Sequence, residues 1–213
     1  MIKSLPKMLV ATRNSGKLRE LNSLLSDRGF DLTSLDEVGI EELVEEDGTT
    51  FEENAVKKAV SYSKISGLTT LSDDSGLEVD GLNGSPGVLS SRYAGVGSDD
   101  NDNVQLLLSN LSHISKSNWT ARFRCVIVIA RMGFTPLIHT GICEGRIIDK
   151  PTGSKGFGYD PVFLVEQFGK TMAQLSLKEK NQISHRGIAI NKLISNLGIV
   201  SEWHKGFRSS RGK

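Results

Sequence analysis

The 213-residue chain has only two cysteines, Cys125 and Cys143, and they lack the spacing of a zinc site or a redox pair. Both fall in strand-like apolar runs and read as buried thiols of a reducing compartment. An excess of either charge is missing too: 26 Lys and Arg against 25 Asp and Glu leave a formal net charge of +1. That balance gives no global field for nucleic acid or a membrane surface, so an anion must be held by a local cluster of donors. No apolar run approaches the roughly 20 residues of a membrane span, and residues 1–6 lack the apolar core of a signal peptide, so the expectation is a cytoplasmic protein. What is present, 38% hydrophobic and 24% charged residues, suits a single domain over 1–213 or two lobes sharing one sheet. The basic stretch at about 205–213 reads as a flexible, solvated tail.

Two familiar nucleotide signatures are also absent. A short apolar strand at 8–11 runs into Thr12, Arg13, Asn14, Ser15, Gly16 and Lys17 before a helix with Leu18, Leu21 and Leu25 on one face. A Walker A loop would need Gly at 11 and Ser or Thr at 18, where this chain has Ala11 and Leu18. Unpaired amides at a helix start still suit a phosphate, and Ser15 is a candidate cap. The glycines at 153–158 lack the third Gly of a dinucleotide fingerprint. They permit close backbone approach instead, with Phe157 and Tyr159 around Gly158 as a stacking face for a flat ring and Asp160 as an acceptor.

The centre of the chain is LSDDSGLEVDG at 71–81, where an apolar run delivers Asp73 and Asp74 to a Ser-Gly pair that reads as a turn at a strand end. Adjacent carboxylates repel unless a cation or proton sits between them, which makes the pair a candidate Mg²⁺ or general-base site. Acid gathers again at 41–47, where Glu45 and Glu46 are alternative metal ligands. Thr50 and Glu53 then form a capping box for a helix that places Asn54 and Lys58 on one face. Arg92 follows a turn-rich loop at 81–87 and is a candidate to balance the carboxylates or reach phosphate. Asp99 or Asp100 starts another helix. Residues 119–131 and 136–148 read as a long antiparallel hairpin, so the sheet is expected to be mixed. Ser176 and Glu179 cap a short helix, and Lys180, His185 and Arg186 converge as a cationic trio at the start of the last helix, whose apolar face runs to Leu197.

Taken in order, ATRNSGK, TFEENAVKKA, LSDDSGLEVDGLNGSPGVLSSRYAG, FGYDPVF and KNQISHRGIA resemble the successive motifs of the inosine triphosphate pyrophosphatase (Ham1-like) family from Met8 to Leu197. The resemblance implies an α/β fold in which a long mixed sheet separates two lobes with the nucleotide in the cleft. It also implies Mg²⁺ as cofactor, a homodimer, and hydrolysis of ITP, dITP and XTP to the monophosphate and pyrophosphate. No nucleic-acid or membrane partner is expected. Carried onto this chain, it puts residues 12–17 on the triphosphate, Asp74 in the role of water-activating base with Ser75 on the substrate, and Glu45 or Glu46 with Asp74 on the metal. Asp73 would support the metal shell and loop. Phe157 to Asp160 would pack against the base, while Lys180, His185 and Arg186 would read its 6-keto edge and the ribose-phosphate side. Arg13 stands where some members carry Gly, and Leu89 where many carry Tyr. The related Maf-like pyrophosphatases lack the SHRG and FGYDP motifs, and a binding module without catalysis would have no use for the carboxylate cluster.

Overall fold

The computed structural model describes residues 7–196, so Leu197 and the basic tail lie outside the described residues. Among the described residues the apolar runs become β1 (Lys7–Val10), β2 (Asp31–Ser34), β3 (Thr69–Val79), β4 (Thr120–Ala130), β5 (Leu137–Ile147), β6 (Phe163–Val165) and β7 (Lys170–Thr171). The amphipathic stretches become α1 (Ser15–Leu25), α2 (Phe51–Ser66), α3 (Asp100–Leu111), α4 (Leu177–Ile183) and α5 (His185–Ser195). The strands form one mixed sheet in the order β2-β1-β3-β4-β5-β6-β7, with β1 parallel to β2 and β3 and the remaining pairs antiparallel.

Helix ends follow their capping residues. Thr50, Asp99 and Ser176 each close a reciprocal capping box, and α2 stops at Gly67 in the left-handed conformation that glycine adopts without a Cβ penalty. The first helix is capped by Asn14, whose side chain accepts from the Lys17 amide, and not by Ser15. The turn-rich loop expected at 81–87 holds turns at 83–85, and a 3₁₀ segment, Gly87–Arg92, follows it.

The expected Ser-Gly turn does not exist. β3 runs unbroken from Thr69 to Val79 and pairs with β4 from Thr70 to Val79, Asp73 opposite Ile127 and Asp74 opposite Val126. Helices cover both faces of this region, α1 and α5 with Leu21, Leu25, Ala189 and Ile190 on one side, α2 with Ala55 and Ala59 on the other. Strand alternation therefore sends Asp73 toward α1 and α5, and Asp74 toward α2.

Unequal strand lengths create the opening. The four residues of β1 end beside Leu71 of β3, so the edge of β3 beyond that point has no strand on the β1 side, apart from a bridge between Glu78 and Pro86. Side chains from both faces of β3 reach the resulting crevice at that edge. A crevice beyond the carboxyl end of a parallel strand is the usual ligand position in open α/β sheets. Arg122 and Arg124, on the far part of β4, pair with Glu78, Asp80 and Glu144 and leave the crevice alone.

Candidate active site

The crevice has a volume of about 480 Å³, within the range typical of small-molecule sites. At one end stands the loop that links β1 to α1. Thr12 Oγ1 accepts from the Asn14 amide at 3.2 Å, and the Lys17 side chain reaches inward to Asp73 at 2.5 Å. Burial works against the Lys17 ammonium, but Asp73 and Asp74 overcome it and hold its pKa above the ordinary value. Thr12, Asn14 and Lys17 face the crevice, whereas Ser15 is exposed outside it and Gly16 is buried beneath the Phe157 ring. Arg13 borders the crevice, yet its guanidinium is turned to Asp36 Oδ1 at 2.5 Å and the Ile40 carbonyl at 2.6 Å. In this conformation Arg13 ties the loop to the segment after β2, which corrects its reading as a phosphate donor.

The two central carboxylates have different surroundings because they leave opposite faces of one strand. Asp73 is fully buried; it receives the Arg186 Nε at 2.9 Å, the Ser75 hydroxyl at 3.0 Å and the Cys125 thiol at 2.9 Å. Burial alone would raise its pKa, but the Arg186 and Lys17 cations hold the carboxyl well below the usual carboxylate range. Asp73 thus anchors cations on the α5 side, not a metal shell. Asp74 faces α2, where Lys58 Nζ lies 3.9 Å from its Oδ1. Its Oδ2 is buried without a hydrogen-bond partner. Burial pushes the Asp74 carboxyl up from its ordinary value against the pull of Lys17 and Lys58, and the Glu46 and Asp73 charges add to the rise.

Lys58 joins Asp74 to the acidic segment. Its ammonium donates to Glu46 Oε2 at 2.8 Å and to the Asp73 carbonyl at 2.8 Å. Glu46 borders the crevice, while Glu45 is exposed and does not. Asn54 accepts from the Gly48 amide at 2.8 Å and Arg92 donates to the Glu46 carbonyl at 3.2 Å, so both fix the backbone that carries Glu46. Among the described residues no three His, Cys, Asp or Glu side chains gather closely enough to make a metal cage. The pair Asp74 and Glu46, with the Asp74 Oδ2 left without a hydrogen-bond partner, still fits Mg²⁺. That ion is commonly held by one or two carboxylates with substrate phosphates completing the shell.

At the other end, the segment before β6 and the starts of α4 and α5 meet. Lys180 bonds to both Asp160 and Glu20, and Arg186 to Glu20, Asp73 and Ser75, so the two cations are already satisfied by carboxylates. Phe157 lies over them, 5.0 Å from the Lys180 ammonium and 5.8 Å from the Arg186 guanidinium, in cation–π contact. Tyr159 offers no free stacking face: it is core, and its hydroxyl donates to the Ser90 carbonyl at 2.9 Å. Asp160 accepts from the Phe157 amide at 2.9 Å, closing the loop upon itself with Gly158 at the tip. His185 is buried and stacks on Phe123 with centroids 4.8 Å apart. Burial, with Arg186 and Lys180 beside it, pushes its pKa well below the ordinary value. The expected cationic trio is thus two cations and a neutral imidazole, whose Nδ1 has no partner.

Sequence reasoning missed Glu20, the buried carboxylate of α1 that holds Lys180 and Arg186 together. Burial alone would raise its pKa, but Arg186 and Lys180 overcome that and lower it. The signal was available: Glu20 falls one turn after Gly16 and directly before Leu21, on the buried stripe of the helix. Phe123 and Asp100 also border the crevice. Nothing in a strand aromatic or a helix-opening acid marks such a position.

One crevice thus collects Thr12, Asn14 and Lys17 at a helix start, an orphaned carboxylate facing lysine, and an aromatic floor over cations. The fold and site together define an α/β protein built around a nucleotide-sized, phosphate-directed cleft. A profile of the Ham1 family matches residues 8–196. The chain is 47% identical to the dITP/XTP pyrophosphatase of Bacillus subtilis, over 87% of this chain and 93% of that one. It is 48% identical to the enzyme of the same name from Geobacter sulfurreducens, over 90% and 96%. The fold matches the Ham1 protein of Coxiella burnetii with a TM-score of 0.82 at 40% identity, covering 93% of this chain and all of that one. The Staphylococcus aureus Ham1 protein matches with a TM-score of 0.80 at 40% identity, covering 90% and 98%. The chain belongs to the Ham1 family.

Proposed function

We propose that this protein is a Mg²⁺-dependent, cytoplasmic, homodimeric pyrophosphatase that converts ITP, dITP and XTP to the monophosphate and pyrophosphate, and so cleanses the nucleotide pool. The names of its relatives supply the substrate class. The observation that carries the chemistry is the buried, unpartnered Oδ2 of Asp74 beside Lys58 and within the field of Lys17.

Thr12 and Asn14 at the head of α1 receive the triphosphate, with Lys17 and Lys58 offsetting its charge. Bound by Asp74 and Glu46, Mg²⁺ supplies Lewis-acid stabilisation of the phosphate charge and of the pyrophosphate leaving group. Asp74 accepts a proton from the attacking water through its unpartnered oxygen. The base lies against Phe157. With Nδ1 protonated, the neutral His185 donates to a 6-keto oxygen; the 6-amino group of adenine would bring a donor to a donor. A buried donor left unpaired costs about 1–3 kcal/mol, which corresponds to roughly ten- to hundredfold selection. Arg186 and Lys180 support this edge by fixing the helix starts and the loop, since their own donors are engaged.

The test is product analysis with Mg²⁺ and ITP, XTP, dITP, ATP, GTP or dTTP, run beside the Asp74→Asn variant. ITP, XTP and dITP should yield pyrophosphate at rates about tenfold or more above ATP. Asp74→Asn should lose about 10²–10⁴-fold in turnover while still binding nucleotide. Orthophosphate as the main product, dTTP as the best substrate, or a fully active variant would each refute the reading. Sedimentation of the full chain tests the dimer.

A further inference from the structure

We infer that Asp100 is a positioning residue, an outer clasp that holds the loop carrying Phe157 and Asp160 at the working width of the cleft. Its Oδ2 accepts from the Gly158 amide at 2.7 Å, across 58 positions of chain. Gly158 is the tip of that loop, with a φ of +60° that other residues rarely adopt. The carboxylate is available for this contact because α3 does not need it. Asp99 caps the helix by accepting from the Asp102 amide at 2.9 Å, and Asp102 returns a bond to the Asp99 amide at 3.1 Å.

Two bonds then join the loop to the wall formed by the 3₁₀ segment and α3. The buried one runs from the Tyr159 hydroxyl to the Ser90 carbonyl, and the exposed one is Asp100 to Gly158. Phe157 and Asp160 lie on either side of these two anchors, and Phe157 is pressed onto Gly16 of α1 on the opposite side of the cleft. Releasing the exposed clasp frees the tip beside Phe157, while Tyr159 keeps the loop attached. A positioning contact of this kind acts on substrate capture and leaves the water, Asp74 and the phosphate donors untouched. An acid on the rim of a triphosphate cleft also repels the substrate, so acceptor and charge predict opposite outcomes.

This inference rests on the reading of the cleft as a purine nucleoside triphosphate site. The experiment compares wild type, Asp100→Ala and Asp100→Asn in the full chain, by ITP kinetics with Mg²⁺ and by amide hydrogen exchange without nucleotide. In Asp100→Ala, KM should rise about fivefold or more with kcat within about twofold. The Gly158 amide should exchange about tenfold faster. Asp100→Asn keeps an oxygen acceptor and should restore both to within about twofold of wild type. An unchanged KM or unchanged Gly158 exchange in Asp100→Ala overturns the clasp, as does a KM that falls equally in both variants, which would make the charge the active feature. Failure of the wild type to hydrolyse ITP would refute the functional reading instead, and the exchange measurement would still decide the clasp.

Discussion

Single residues in this cleft are set by which face of a strand or helix they leave. Asp73 and Asp74 are neighbours in sequence, yet one is locked among Arg186, Lys17 and Cys125 while the other keeps a free oxygen toward α2. The family resemblance separated their roles, but the physical ground of the separation, opposite faces of one strand, was hidden because Ser75 and Gly76 read as a turn. His185 makes the same point for charge. It sits at a helix start among Lys180 and Arg186, so its composition says cation and its burial says neutral. That neutrality has a pH consequence. In the unfolded chain this imidazole titrates near its ordinary value of about 6.5, whereas in the fold burial, Arg186, Lys180 and Lys17 outweigh Asp73 and hold the pKa well below it. As the pH falls below 6.5 the unfolded state gains a proton that the folded state refuses. Stability is then lost by up to about 1.4 kcal/mol per pH unit until the folded value is reached. Urea unfolding at intervals from pH 7 to pH 5 should show this loss in wild type and a smaller one in His185→Gln. Parallel profiles for the two proteins would mean that His185 is protonated in the fold.

At the scale of elements, capping residues were legible and the central strand was not. Thr50 with Glu53 and Ser176 with Glu179 announce helix starts because the side chains themselves complete the backbone hydrogen bonds. β3 carries no such mark. Both its faces are covered, so it lacks the alternation of a half-exposed strand, and its polar residues find partners that sequence does not show; Ser72, for instance, donates to the Ala55 carbonyl at 2.6 Å. Gly76 is there for close approach, since a Cβ would stand 2.4 Å from Ser90 Oγ and 2.5 Å from the Gly87 carbonyl. Gly141 of β5 has a similar role in seating α5, which brings His185 and Arg186 to the cleft. A Cβ at that position would lie 2.0 Å from the His185 carbonyl and 2.6 Å from the Ala189 amide, backbone atoms that cannot swing aside. Gly141→Ala must therefore lift the start of α5. The expected cost is about 1–3 kcal/mol of stability, as for other overpacked interiors, together with a raised KM for ITP. Denaturant unfolding and steady-state kinetics read the two effects, and wild-type values for both would show that α5 is seated by other contacts.

For the whole molecule, the buried ion network is what joins the parts that the sheet alone does not. Lys17 and Glu20 of α1, Asp73 of β3, Asp160 of the base-side loop, Lys180 of α4 and Arg186 of α5 form one connected chain of charges, with Arg186 only 1% exposed. Sequence reading found five of these six residues but assigned most of them to the substrate. Whether a buried cation faces a ligand or a carboxylate is a property of the tertiary fold. The network carries a liability: removing the Asp73 charge takes the carboxylate from Lys17 and leaves the buried Arg186 with Glu20 and Ser75 alone. Asp73→Asn should cost about 3–5 kcal/mol, a large part of the 5–15 kcal/mol that keeps an ordinary domain folded. The form of the unfolding curve is as informative as its midpoint. One sheet runs through the molecule, and the network ties helices at the start and end of the described chain to its central strand. The variant should therefore lose its midpoint while keeping a single transition in both circular dichroism and tryptophan fluorescence. Two separate transitions would mean that the two sides of the cleft fold as independent units, and that the network closes the cleft without holding one domain together.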